Sequence, residues 1–271
     1  MKRKWLNISI WAVLFIGLGF SLYWLSIQSN RQNGSALFIH VKENHLNYFL
    51  SNDDIRILLR ERGDTVIHQP LNRLNIRNIE ASLDNHPAIA NAKVYVTIDG
   101  KVNVDITQRT PIVRLVDRSN DSYYIDDNGK LMPLSDKFTS NVLIVSGDFR
   151  IPYGRFYNLN LDELAKKKNY SDSSHLVEIY SLAKFIWTNE FWKAQVQQVN
   201  FNAAGEFELI PRVGDQKILL GQIDDLEEKF SKLLVFYTQG LNSTGWWNKY
   251  SIINLKYKDQ IVCTKKESQN S

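Results

Sequence analysis

Apolar positions along the chain fall into distinct rhythms, and the first is continuous: from Trp5 to Ile27 nearly every residue is apolar, with Lys2, Arg3 and Lys4 ahead of the run. At about 1.5 Å per residue a helix of this length spans the roughly 30 Å of bilayer hydrocarbon, whereas the apolar core of a cleaved signal peptide has only about 7–15 residues. Ser26-Ile27-Gln28-Ser29-Asn30-Arg31 offers no small-x-small cleavage pattern, so the run reads as an uncleaved signal anchor over 5–27. Trp5, Trp11, Phe15, Phe20 and Trp24 provide its aromatic anchoring side chains. The basic residues in 1–4 place that short tail in the cytoplasm and the rest of the chain outside it.

After a polar linker at 28–35, periods of two and of 3.6 residues alternate. Residues 36–41 alternate as a strand. Ser51-Asn52-Asp53-Asp54 is an N-cap followed by acidic residues, and Ile55, Leu58 and Leu59 keep helical spacing until Gly63. Ile76, Ile79 and Leu83 repeat that spacing in a second helix that stops before Pro87. Val94, Val96 and Ile98 then alternate, Asp99-Gly100 reads as a two-residue turn, and Val102, Val104 and Ile106 alternate on the return. Strand, helix, helix, strand, strand over 36–110 predicts a small α+β domain with both helices on one sheet face.

From 111 onward strands dominate. Residues 123–125 and 130–134 flank an Asp126-Asp127-Asn128-Gly129 turn, and a further strand follows at 142–145. A helix capped by Ser173 or Ser174 carries Leu176, Ile179, Tyr180, Ala183, Phe185, Ile186 and Phe191. Strands at 196–201, 206–210 and 217–220 predict a meander. Asp224-Asp225 opens a last helix with Leu226, Phe230, Leu233, Leu234 and Tyr237 on one face and Glu228 four residues ahead of Lys232; Gly240 is its expected end. Residues 250–257 and 260–264 read as closing strands, and 265–271 as a disordered tail. The second domain, 111–264, is thus a mixed β domain with packed helices.

Charge narrows the function. The chain has 33 basic and 29 acidic residues; without the three cations before the anchor, 33 − 3 = 30 basic residues face 29 acidic ones. A near-neutral ectodomain has no electrostatic footprint for nucleic acid. Cys263 is the single cysteine, so no intrachain disulfide forms, and its apolar strand context marks a packed thiol. His40, His45, His68, His86 and His175 lack metal-site spacing. Asp53-Asp54 and Asp224-Asp225 sit at helix starts, where the macrodipole favours anions, and Asp126-Asp127 lies in a turn. There is no Gly-x-Ser-x-Gly elbow and no phosphate loop. The chain therefore reads as non-enzymatic, without catalytic, cofactor-binding or metal-binding residues and without a small-molecule substrate. Trp246-Trp247 fits either a partner anchor or core packing, and Asn242 with Thr244 forms a glycosylation-acceptor pattern in a loop.

His86-Pro87-Ala88-Ile89-Ala90-Asn91-Ala92-Lys93-Val94 resembles the join between the second helix and the next strand in the POTRA domain of the bacterial cell-division family FtsQ/DivIB. Val102-Asn103-Val104-Asp105-Ile106-Thr107-Gln108-Arg109-Thr110-Pro111 is similar to that domain's exit strand. Ile218-Leu219-Leu220-Gly221 with Leu226-Glu227-Glu228-Lys229-Phe230, and Tyr250-Ser251-Ile252-Ile253-Asn254-Leu255-Lys256-Tyr257, are similar to late segments of the family's β domain. The chain departs from the family where Gln108 replaces a usual acidic residue and Lys42-Glu43-Asn44 a usual Gly-Asn turn, which marks a divergent member.

The resemblance implies an α+β architecture: a single N-terminal transmembrane helix, a POTRA-like β-α-α-β-β domain over 36–110 and an FtsQ-type β domain over 111–264. It implies a non-enzymatic bitopic scaffold of the divisome, in the inner membrane at the division septum, that meets FtsB/FtsL-type division proteins outside the cytoplasm. The closing strand has no proline to blunt an edge. By the resemblance it takes a partner strand at Tyr250, Ser251, Tyr257, Gln260, Ile261, Val262, Cys263 and Thr264. The competing expectations are a POTRA-bearing secretion or outer-membrane assembly factor, which calls for further POTRA repeats or a β-barrel, and an anchored cell-wall hydrolase, which calls for a catalytic cluster.

Overall fold

The structure is a computed structural model that describes residues 14–24, 36–42, 48–62, 70–71, 74–150, 154, 159–166 and 174–266. Residues 14–24 form helix α1, with Phe15, Phe20 and Trp24 exposed on it. Trp5, Trp11 and both ends of the expected anchor lie outside the described residues, as do the linker and 267–271. Among the described residues no helix is long and apolar enough to cross a membrane.

The chain divides into two compact units, one made of Met1–Glu43 with Leu50–Gln108 and the other of Asn44–Phe49 with Arg109–Ser271. In the first, β1 (Ala36–Val41) runs parallel to the central β3 (Lys101–Gln108), and β2 (Ile89–Val96) pairs antiparallel on its other side. Val102, Val104 and Ile106 are buried while Lys101 is exposed, so the alternation of β3 sends one face to the helices. Helix α2 (Asn52–Glu61) starts as the sequence predicts. Ser51 Oγ accepts from Asp54 N at 3.3 Å, and the Asp54 carboxylate accepts from Ser51 N at 2.9 Å. Ile55 and Leu59, with Ile79 and Leu83 of α3 (Ile76–Asp84), complete the core.

The hairpin differs from its expected form. Thr97 N donates to Lys101 O at 2.9 Å, so Ile98, Asp99 and Gly100 all belong to the turn, and Ile98 is 100% exposed at its tip. Gly100 at φ 78° supplies the left-handed residue that a three-residue connection needs to keep the strand twist. Gln108 accepts from Leu50 N at 2.9 Å through its amide oxygen, a bond a carboxylate would also accept.

The second unit is built on a nine-stranded mixed sheet in the order β12-β11-β10-β9-β8-β7-β4-β5-β6. β4 (Pro111–Val116), β7 (Leu143–Gly147) and β8 (Val196–Phe201) run parallel. β5 (Ser122–Asp126) and β6 (Leu131–Pro133) close one side. β8, β9 (Phe207–Pro211) and β10 (Lys217–Gly221) form the expected meander. Val113, Leu115, Val145, Val199, Leu209 and Ile218 share a core with Leu176, Ile179, Ala183 and Ile186 of α5 (Ser174–Thr188) and with Phe230 and Leu233 of α7 (Leu226–Val235).

Helix limits shift from expectation for local reasons. A short helix, α4 (Leu161–Lys166), precedes α5. Phe191 belongs to a separate helix, α6 (Glu190–Gln195), because Asn189 turns extended and its side chain accepts from Trp192 N at 3.1 Å. Asp225, at φ 48°, makes no side-chain cap; instead Asp224 takes the buried Lys229 ammonium at 2.6 Å. Glu228 and Lys232 do pair, at 3.2 Å. Gly240 does not end the helix, which runs on through a π-helical turn at Phe236–Leu241 to Gly245 at φ 70°. A Cβ at Gly240 would stand 3.1 Å from the Phe236 ring, so the glycine serves packing rather than termination.

Candidate functional site: an open sheet edge

The closing hairpin pairs β11 (Tyr250–Asn254) with β12 (Val262–Lys265), matching Ile252 to Thr264, Ile253 to Cys263 and Asn254 to Val262. β12 is terminal in the sheet order. Lys266 N donates to Lys249 O at 3.0 Å. Because backbone groups of alternate residues point to opposite sides of a strand, Thr264 and Val262 face β11, and Cys263 and Lys265 turn their N–H and C=O away from it. These outward groups are what an incoming strand would meet.

Side chains follow the complementary alternation. Cys263 and the preceding Ile261 are half-buried against the core, whereas Val262 is 43% exposed. Burial pushes the Cys263 thiol pKa up, which favours the neutral thiol. Ser251 Oγ donates to Thr264 O at 3.3 Å and steadies the pair. The connecting turn carries exposed Gln260 and Tyr257, and Asp259 at φ 56° reverses the chain. Lys232 Nζ donates to Tyr257 O at 2.9 Å, tying that turn to α7.

The structure thus gathers all eight sequence-assigned residues on one hairpin, but it distributes them. Val262, Cys263 and Thr264 lie in β12, Tyr250 and Ser251 lie in β11, and Tyr257, Gln260 and Ile261 lie in the connection. Lys265, placed by sequence in the tail, is the last residue of β12 and offers one of the outward groups. The tryptophan pair separates: Trp247 packs 5.1 Å from the Tyr237 ring, while Trp246 is 45% exposed with Lys249 Nζ 3.0 Å over its ring. Trp246 therefore adds an aromatic surface beside the start of β11.

The paired carboxylates hold backbone and cations. Buried Asp126 accepts from Asn128 N at 3.0 Å and Lys130 N at 2.6 Å and pairs with Arg109 at 2.8 Å. Burial, and then Asp126 beside it, raise the Asp127 pKa. Among the described residues no cluster of His, Cys, Asp or Glu has the makeup of a metal site.

Compared with known families, residues 110–264 match the family described as FtsQ/DivIB, C-terminal related. Residues 33–107 match the POTRA-like domain. No curated protein matches the chain. The FtsQ/DivIB match spans more than half of the sequence and covers the sheet that carries the open edge, with a POTRA-like domain ahead of it: the chain belongs to the FtsQ/DivIB family.

Proposed function

We propose that this protein is a non-enzymatic scaffold of the bacterial divisome, anchored once in the inner membrane by its N-terminal apolar segment. At β12 it receives a strand from an FtsB/FtsL-type partner outside the cytoplasm. The observation that carries the reading is the position of β12 at the end of the sheet, with the backbone of Cys263 and Lys265 turned outward. Tyr250, Ser251, Tyr257, Gln260, Ile261, Val262 and Thr264 shape the hairpin around those groups, and Trp246 flanks it. Family membership supports the divisome setting over secretion or outer-membrane assembly.

Cys263→Pro is the direct test, because proline removes an outward donor without taking a bond from the β11 ladder. Co-purification of the FtsB/FtsL-type partner should be lost while the near-UV circular dichroism stays that of the parent chain. Thr264→Pro, which breaks the ladder itself, is the control for unfolding. Partner capture by a folded Cys263→Pro protein would refute strand addition at β12.

A further inference from the structure

The second unit contains a cavity of about 470 Å³ where the C-terminal end of α5 and helix α6 wrap the starts of β4, β7 and β8. That volume lies within the roughly 300–1,000 Å³ typical of binding sites. Its floor is apolar and buried, made by Ile112, Ala183, Ile186 and Val196. Trp187 forms one wall, with Lys193 Nζ 3.2 Å over its ring, so an ammonium is held at the mouth. Arg212, just past β9, brings a second exposed cation to the same rim. Among the described residues neither Lys193 nor Arg212 is in a salt bridge, and the rim carries a single carboxylate, Glu190.

The three strands beneath the cavity are interior to the sheet, each already paired on both sides. Their backbone cannot accept another strand, so recognition here must work through side chains. In the sheet order β9, β10 and β11 separate β8 from β12, so this cavity and the open edge occupy different parts of the sheet. An apolar floor selects an apolar side chain, and two cations against one carboxylate select negative charge beside it.

We propose that this cavity is a second docking site, which takes a partner-protein segment presenting a large apolar side chain flanked by carboxylates. The apolar group fills the floor beside Trp187, and the carboxylates meet Lys193 and Arg212. The site goes beyond strand addition at β12 and does not depend on it.

The test uses the full chain in lipid nanodiscs with ¹⁵N-labelled tryptophan, the Trp187 indole resonance being assigned from Trp187→Phe. The probes are the capped peptides Ac-Gly-Asp-Phe-Glu-Gly-NH2 and its neutral counterpart Ac-Gly-Asn-Phe-Gln-Gly-NH2. The acidic peptide should shift the Trp187 resonance saturably and bind about five-fold more tightly than the neutral one, as two exposed ion pairs would allow. Lys193→Gln combined with Arg212→Gln, both at exposed positions, should remove that preference and leave the fold intact. Cys263→Pro should leave peptide binding unchanged. No saturable shift at Trp187, equal affinity for the two peptides, or a preference that survives the double substitution would each overturn the proposal, whatever becomes of partner capture at β12.

Discussion

Two edge strands of this chain, β2 and β12, meet the same physical problem in opposite ways. An edge strand carries unpaired N–H and C=O groups that invite another strand. On β2 two outward donors have internal partners: Ala92 N donates to Asp84 Oδ1 at 2.7 Å and Val94 N to Glu80 Oε1 at 2.8 Å, both acceptors coming from α3. On β12 no helix carboxylate among the described residues meets the outward groups of Cys263 and Lys265. The far edge of the large sheet, β6, takes a third course, being only three residues long and ending in Pro133. Of these three edge strands, β2 is closed by carboxylates, β6 by its shortness and proline, and β12 is left open among the described residues. An edge left open where closure is available to the fold has the geometry of a docking strand.

The comparison can be broken from either side. Closing β12 with Cys263→Pro should have the largest effect, a loss of partner affinity of roughly 10- to 100-fold, from a missing charge-free hydrogen bond and the steric bulk of the ring. Pull-down titration with the purified partner measures it. Opening β2 with Glu80→Ala and Asp84→Ala should cost about 2 kcal/mol of local stability, since two backbone donors lose charged acceptors. Hydrogen exchange at Ala92 and Val94 should quicken accordingly, and the freed edge should begin to self-associate at high concentration in sedimentation velocity. Unchanged protection at both amides would mean that the carboxylates are not what closes this strand. A smaller effect is expected for Trp246→Ala, about 1 kcal/mol of partner affinity without a change in the unfolding midpoint. A null result there would confine the docking surface to the hairpin itself.

Much of this contrast is written locally in the sequence. The alternation of Val102, Val104 and Ile106 and the Ser51 capping box act over a few residues, and the structure repeats both. The features that resist sequence reading depend on distant neighbours. Nothing local to Asp84 or Glu80 marks their carboxylates as acceptors for strand donors; that role exists only once β2 is placed beside α3. Gly240 reads as a helix stop until the Phe236 ring is seen against it. Lys265 reads as tail because it is charged, yet an edge strand whose side chains reach solvent accommodates a lysine. Asn189 hides a break between two helices, since apolar residues on both sides of it, up to Phe191, let a single helix be read through it. At the candidate site, the residues on β11, β12 and their connection are legible together because they are close in sequence. The cavity is not, because Ile112, Trp187 and Arg212 converge only after the parallel strands are assembled.

The subtlest way to probe the closed edge is through pH. Just ahead of β2, half-buried His86 accepts from Ala88 N at 3.2 Å through Nδ1, a bond available only to the neutral ring. Burial foremost, and the Arg62 guanidinium after it, hold the His86 pKa below its ordinary 6.5, against a weaker opposing pull from Asp54. A histidine whose folded pKa lies below its unfolded value resists protonation in the folded state. Its contribution is therefore complete above about pH 6.5 and declines as the pH falls through the folded pKa. Amide exchange at Ala88 and along the start of β2 should speed up over that interval once intrinsic exchange is corrected for pH. His86→Gln, which keeps an acceptor but cannot titrate, should flatten the dependence. If the wild-type profile is already flat, His86 is not coupled to the edge, and the closure of β2 rests on Glu80 and Asp84 alone.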